Sequence, residues 1–168
     1  MFIVALTAAV SSILSPLRIN VGFIVRQSIG YSRNFDFALP TLSLPPDLVL
    51  NDLEGTAHVS RTPQGLLVQV QLKAMMPVEC VRCLTPFSQP LTTDFTELYA
   101  FSQRFATESD LILPEDGNMN LEPLVREYML LEVPINPLCK PDCKGLCPVC
   151  GGDLNEEICD HPASESVP

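Results

Sequence analysis

Tryptophan is absent and histidine occurs only twice, so eight Phe and three Tyr must supply all the aromatic packing. Basic residues are scarce as well: ten Lys and Arg stand against twenty Asp and Glu, a net charge of −10. A chain so poor in cations is a weak non-specific nucleic-acid binder, because phosphate contacts need clustered Lys and Arg. RNA contact would have to be local or made through a partner, and a basic ribosomal protein is the easier direct partner. The deficit is uneven: residues 1–38 carry +2 and residues 39–93 carry −1, whereas residues 94–132 carry −7 and residues 139–168 carry −4. A long apolar run is also missing. Residues 1–14, MFIVALTAAVSSIL, look like a signal-peptide core but lack a basic start. They fall short of the roughly 20 residues that a bilayer span needs. They are expected to be a spare leader, or a helix or strand laid on the core, and no membrane partner is expected. There is no Gly-rich phosphate loop and no Ser/His/Asp pattern, and the acidic run ESDLILPEDG reads as a solvated loop. The chain is therefore expected not to be an enzyme and to take no small-molecule substrate.

Proline, by contrast, is abundant. Sixteen prolines break the chain into short elements and argue against a helical bundle. INVGFIVRQSIG (residues 19–30) suggests a short helix, with Asn20 as N-cap and Gly30 as stop. YSRNFDFALP reads as a strand ended by Pro40, and LSLPPDL as a linker. LEGTAHVSRT and GLLVQVQLKAMMPVEC alternate, placing Ala57, Val59 and Arg61, then Leu66, Val68, Val70 and Leu72, each on one side. RTPQG between them is a hairpin turn. QPLTTDFTELYAFS makes a third such strand with Leu91, Phe95 and Tyr99. NLEPLVREYMLLEVP is the main helix: Asn120 caps it, Pro123 suits its first turn and Pro134 ends it. Its apolar stripes are Leu124, Tyr128 and Leu131, and Val125 with Met129. The expected fold is α+β: an antiparallel sheet with one main helix packed on it and a Cys-rich, zinc-binding C-terminal module.

Seven cysteines cannot close into a complete disulfide framework, and their close spacing favours metal in a reducing compartment, so the cytoplasm is the expected location. CVRC pairs Cys80 with Cys83, and CPVCGG pairs Cys147 with Cys150. In a zinc knuckle two thiolates grip one ion while backbone N–H groups point at the sulfurs, and a Gly after the second Cys lets the chain turn. Seven Cys and His161 make eight ligands, the number for two tetrahedral ions. Cys147, Cys150, Cys159 and His161 form a compact set, which leaves Cys80, Cys83, Cys139 and Cys143 as a second. The rival division joins Cys80 and Cys83 to Cys147 and Cys150 in the manner of a zinc ribbon. Two zinc ions are expected, and at least one. Free structural thiols and an iron–sulfur cluster are the other readings. A thiol redox pair is a further one, though it lacks its usual strand-to-helix setting. Thiolates in this number outweigh two dications, so the cations beside them, Arg82, Lys140 and Lys144, are expected to neutralise the site and are the candidates for RNA contact. His58, in TAHVS, reads as an ordinary strand residue.

Three stretches together, C-x-R-C-L, LLEVPINPLC and CKGLCPVCGGDLN, resemble the YceD family, a bacterial and plastid domain. The likeness covers about residues 17–161. It divides the chain into an apolar leader (1–16), a YceD-like α+β domain (17–138), a Cys-rich zinc-binding tail (139–161) and a flexible C-terminus (162–168). Many relatives end the tail motif in C-x-C where this chain has Cys159-Asp160-His161, so the resemblance implies that His161 replaces a Cys ligand. It also implies a role in accumulation or processing of large-subunit ribosomal RNA, hence a non-enzymatic ribosome biogenesis factor with precursor RNA or a ribosomal protein as partner. The other reading is a zinc-stabilised protein-interaction module that acts on a ribosomal protein or a processing nuclease without touching RNA.

Overall fold

A computed structural model of the chain describes residues 15–160. Most of the apolar leader, together with His161 and the C-terminus, lies outside the described residues.

Four long strands form one antiparallel meander in the order β2-β3-β4-β5: Ser32–Leu44, Leu48–Arg61, Gly65–Glu79 and Pro86–Ala100. Two short strands, β1 (Arg18–Asn20) and β6 (Asn118–Asn120), pair antiparallel beside it. Helix α1 (Gly22–Val25) follows β1, and α2 (Glu122–Leu131) follows β6. The alternation read from the sequence is the packing code here. Val70 lies between Ala57 and Phe95 in register, and Val68 beside Val59, with all five facing inward. The intervening Gln69, Gln71 and Lys73 face out. On that inner face Leu17, Val21 and Ile24 meet Met119, Leu121, Val125 and Met129 to complete the core. Phe95 and Tyr128 stack with ring centroids 4.2 Å apart, tying α2 to β5.

The strand read from YSRNFDFALP joins this sheet at its edge and is longer than expected. Pro40 does not end β2, which runs on to Leu44. A proline is tolerated there because β2 is an edge strand, and its position faces Asp52, where the β3–β4 register shifts between Asn51 and Glu54. The irregularity has a purpose in packing. Before it Leu48 and Leu50 point inward, and after it Leu53, Ala57 and Val59 do, so a 14-residue strand keeps both halves on the core. LSLPPDL is accordingly not a linker but the β2–β3 hairpin, closed around a cis Pro45–Pro46 peptide bond. Gly55 is forced by close approach: a Cβ there would lie 2.0 Å from the Gln71 carbonyl oxygen.

The expected N-terminal helix shrinks to one turn, because Ile19 is claimed by pairing with Met119 and Asn20 by pairing with Asn118. Asn20 still accepts a hydrogen bond from the Gly22 N–H at 3.3 Å. Asn120 likewise accepts from the Glu122 N–H at 3.1 Å, although Leu121 intervenes between it and the helix. Leu124, Val125 and Met129 are buried as the helical spacing requires, whereas the last turn carries Leu131 out to solvent, 74% exposed. Among the described residues no helix is long and apolar enough to cross a membrane.

Candidate metal centre

Cys80 and Cys83 occupy the loop between β4 and β5, which holds the pair at one end of the sheet. The loop closes on itself: the Cys80 N–H donates to the Thr85 carbonyl at 3.0 Å and the Leu84 N–H to the Cys80 carbonyl at 2.9 Å. The same turn recurs in the tail, where the Cys147 N–H donates to the Gly152 carbonyl at 2.7 Å and the Gly151 N–H to the Cys147 carbonyl at 2.8 Å. In both, the residue after the second Cys is left-handed, Gly151 at φ 73° and Leu84 at φ 60°. The two Cys-x-x-Cys loops are thus copies of one knuckle, one with the expected glycine and one with a leucine held in a glycine's conformation.

The tail returns to the first knuckle through the Val81 N–H, which donates to the Pro137 carbonyl at 3.0 Å. This brings Cys139 and Cys143 alongside Cys80 and Cys83, with all four Sγ atoms within 4.8 Å of one another. Cys80 and Cys143 are 3.8 Å apart and Cys83 and Cys139 are 3.6 Å apart. Phe87, Leu138 and Leu146 pack around this set as a small core separate from that of the sheet. The second set groups Cys147, Cys150 and Cys159, with Cys150 and Cys159 at 3.6 Å. Cys80 and Cys83 are not grouped with Cys147 and Cys150, as the ribbon-like division would require. His161, read as the fourth member of the second set, lies outside the described residues.

These spacings test what the thiols can hold. Four sulfurs each about 2.3 Å from one tetrahedral zinc lie roughly 3.8 Å apart. A disulfide would place them at about 2.05 Å, and all seven cysteines are free. A cluster of several irons, with inorganic sulfide between them, would hold the thiolates farther apart. The first set fits one tetrahedrally held ion with four protein ligands, and the second fits three of the four corners of another.

Each set contains a thiol pulled toward ionisation and one held protonated. Burial opposes charge on Cys80, but backbone N–H groups of Cys139, Cys83 and Arg82 outweigh it and bring the thiol down to about 6. The Thr85 hydroxyl and then its backbone N–H lower Cys83. Burial, followed by hydrogen bonds with Cys83, Cys143 and Cys80, pushes Cys139 up to about 12. In the second set the backbones of Cys150 and Val149 lower Cys147, while Cys150 first and burial next push Cys159 to about 12. Knuckle amides therefore favour thiolates, whereas Cys139 and Cys159 add sulfurs that a bound cation would help to ionise.

Two residues that sequence reasoning passed over complete the surroundings. Thr85 touches Cys83 Sγ at 3.4 Å. Asn155 donates from Nδ2 to Cys143 Sγ at 3.4 Å and accepts the Lys144 N–H at 3.0 Å, so a side chain of the second loop holds a ligand of the first set. Their only signal was position, Thr85 two residues after Cys83 in CVRCLT and Asn155 five after Cys150 in CPVCGGDLN. Of the three expected cations, Arg82 commits Nη1 to the Cys143 carbonyl at 2.8 Å, bracing the two strands of chain that supply the ligands. Lys140 and Lys144 are exposed. His58 joins neither thiol set and meets Asn34 on the outer face of the sheet.

The family described as "Large ribosomal RNA subunit accumulation protein YceD" matches residues 68–168, which include both thiol sets. Over 109 residues the chain is 33% identical to an uncharacterized protein of Mycobacterium tuberculosis (strain ATCC 25618 / H37Rv), covering 62% of this chain and 53% of that protein. It is 36% identical over 47 residues to the chloroplastic "Large ribosomal RNA subunit accumulation protein YCED homolog 1" of Arabidopsis thaliana, covering 28% of this chain and 15% of that protein. The chain spans about half the length of the mycobacterial relatives. No solved structure matches it. Since the family match takes in more than half of the chain, from β4 through α2 and the whole cysteine tail, the chain belongs to the YceD family.

Proposed function

We propose that this chain is a cytoplasmic ribosome biogenesis factor that supports accumulation or processing of large-subunit ribosomal RNA by binding, not by catalysis, and that two zinc ions hold its tail to its sheet. The family description and the names of the plant relatives support the ribosomal role. The observation that carries the rest is the first thiol set, where four Sγ atoms from the β4–β5 loop and the tail converge within 4.8 Å. Zinc bound there would serve as a cross-link. Four protein ligands fill a tetrahedral ion and leave no position for a reacting water. Around it the backbone N–H groups of Arg82, Cys83 and Cys139, with the side chains of Thr85 and Asn155, would orient the sulfurs, and Phe87, Leu138 and Leu146 would exclude water. The partner is precursor ribosomal RNA or a ribosomal protein. The net charge of −10 favours the second, in which the chain acts on a ribosomal protein or a processing nuclease as an interaction module without touching RNA.

Elemental analysis and sedimentation with precursor particles test this together. Two zinc ions per chain, falling to one in His161→Ala, and co-migration with large-subunit precursors are expected. A single ion unaffected by that substitution would sink the second site. Absence from precursor particles, with unaltered large-subunit RNA in cells lacking the protein, would sink the ribosomal role.

A further inference from the structure

Far from the thiols in sequence, three of the chain's ten cations, Arg26, Arg33 and Arg61, lie in or beside a groove of 710 Å³ between α1 with the residues after it and the segment 113–117. Phe23, Val25, Arg26 and Phe101 line it, with Glu115 and Asp116 on the facing rim. Arginines stack on its rings: the Arg33 guanidinium lies 5.6 Å from the Phe23 centroid and that of Arg61 lies 4.6 Å from Phe101. Arg61 is fixed in that pose by the Val25 and Thr62 carbonyls, so Phe101 and Arg61 form a rigid floor. Phe23 keeps 38% of its surface exposed and so leaves ring surface open to a stacking partner. Arg26 and Arg33 take part in none of the ion pairs found among the described residues, whereas Asp116 is matched by Arg18 at 3.1 Å. The free charge at the groove is therefore mostly positive, against a whole-chain charge of −10.

We propose that this groove takes a short stretch of single-stranded RNA, bases stacking on Phe23 and the Arg33 and Arg61 guanidiniums, phosphates meeting Arg26 and Arg33, and Glu115 accepting from a base amino group. An exposed Phe23 and a half-buried Phe101, each faced by an arginine plane, suit splayed-out bases, and they suit neither a duplex, whose bases are covered, nor an inorganic anion, which needs no ring. The proposal rests on the reading that the chain works on ribosomal RNA, and it moves the contact from Arg82, Lys140 and Lys144 to the opposite end of the chain. The α1 wall precedes the family match at residues 68–168, so that match does not assign it.

The test is fluorescence anisotropy of the zinc-loaded full chain with a labelled single-stranded RNA decamer across a salt series. Phe23→Ala is expected to weaken binding by about 10-fold or more, as loss of one stacked base does. Arg26→Gln with Arg33→Gln, both at exposed positions, is expected to lower the salt slope by about 1.4, the value for two phosphates on a single strand. A hairpin duplex of the same composition is expected to bind more weakly. If the decamer binds, is indifferent to these changes and is lost in Arg82→Gln/Lys140→Gln/Lys144→Gln, the groove is refuted while the RNA reading stands. If no RNA binds at low salt, both direct contacts fall and the protein-partner reading remains. Equal competition by poly-glutamate would refute base stacking and leave a site for acidic peptide.

Discussion

Among the described residues Asn155 is the one side chain of the second thiol loop that hydrogen-bonds a sulfur of the first set, and replacing it separates a metal effect from a folding effect. Its Nδ2 lies 3.4 Å from Cys143 Sγ, its Oδ1 takes the Lys144 N–H at 3.0 Å, and Asp153 Oδ1 fixes it through both Nδ2 at 2.6 Å and the backbone N–H at 2.8 Å. A hydrogen bond to a charged acceptor contributes about 1.5–3 kcal/mol and a neutral one about 0.5–1.5 kcal/mol. Asn155 is only half-buried, so the lower halves of these ranges apply, about 2–3 kcal/mol in total. Asn155→Ala is thus expected to weaken the ion at Cys80, Cys83, Cys139 and Cys143 by roughly 30- to 150-fold, near the range for residues that support metal ligands. Asn155→Asp should do at least as much harm, because it sets a carboxylate against a thiolate. The assay is zinc competition against a chromophoric chelator, repeated with cobalt, whose thiolate charge-transfer bands report each site. Cobalt loaded into Asn155→Ala should show a shifted band for the four-thiolate site alone, since an N–H donor to sulfur changes its energy. Unchanged affinity at the first set, or loss confined to Cys147, Cys150 and Cys159, would refute the coupling.

How much of this could be read from sequence depends on the range of the interaction. Alternation in GLLVQVQL placed Leu66, Val68, Val70 and Leu72 on the core face correctly, because a strand's two faces are decided residue by residue. Spacing offered the grouping of Cys80 and Cys83 with Cys139 and Cys143 as one of two divisions, and the positions of the sulfurs in the fold choose it over the ribbon-like one. Pro40 misled because a proline reads the same in a loop and on an edge strand, and only the neighbour list of a folded sheet tells them apart. The β1–β6 pair was invisible for a similar reason. Three-residue strands nearly 100 positions apart carry no period of their own, and Ile19 and Met119 are joined by tertiary register alone. Leu84 is a subtler case. Glycine after the second Cys marked the tail knuckle, while leucine concealed the same turn in the first, so the likeness of the two loops emerged from hydrogen bonds and φ rather than from letters.

That likeness predicts opposite outcomes for matched substitutions. Leu84→Gly removes a left-handed leucine that is 58% exposed, and denaturant melts should show it neutral to stabilising by about 1 kcal/mol, whereas Gly151→Ala should destabilise the tail by a similar amount. Alkali should act through two tyrosines. The Glu97 hydrogen bond and then burial raise Tyr128 from 10.0 to about 12, and burial and then Glu97 raise Tyr99 to about 12. Folded pKa values above the unfolded ones mean stability that is whole below pH 10 and lost as pH rises toward 12, so thermal melts should fall across that window and Tyr128→Phe should flatten the fall. Gly55→Ala, with its Cβ 2.0 Å from the Gln71 oxygen, should break the β3–β4 pairing outright and give insoluble or unfolded protein. Chelation should be the most selective perturbation, and the reason lies in the division of the interior. The sheet's core runs from Leu17 to Met129 and contains no cysteine, while Cys80, Cys83 and Cys143 form their own small cluster with Phe87, Leu138 and Leu146. Removing metal leaves thiols of the first set that cannot all ionise together, and it takes from the sheet only the contacts of Phe87 at the start of β5. Hydrogen exchange after chelation should therefore show Cys143, Leu146, Gly151 and Leu154 amides losing protection while β2 to β5 keep theirs. Melting of the whole chain in one step on chelation would show instead that the metal-bound module and the sheet are a single cooperative unit, and the separate-core argument would be wrong.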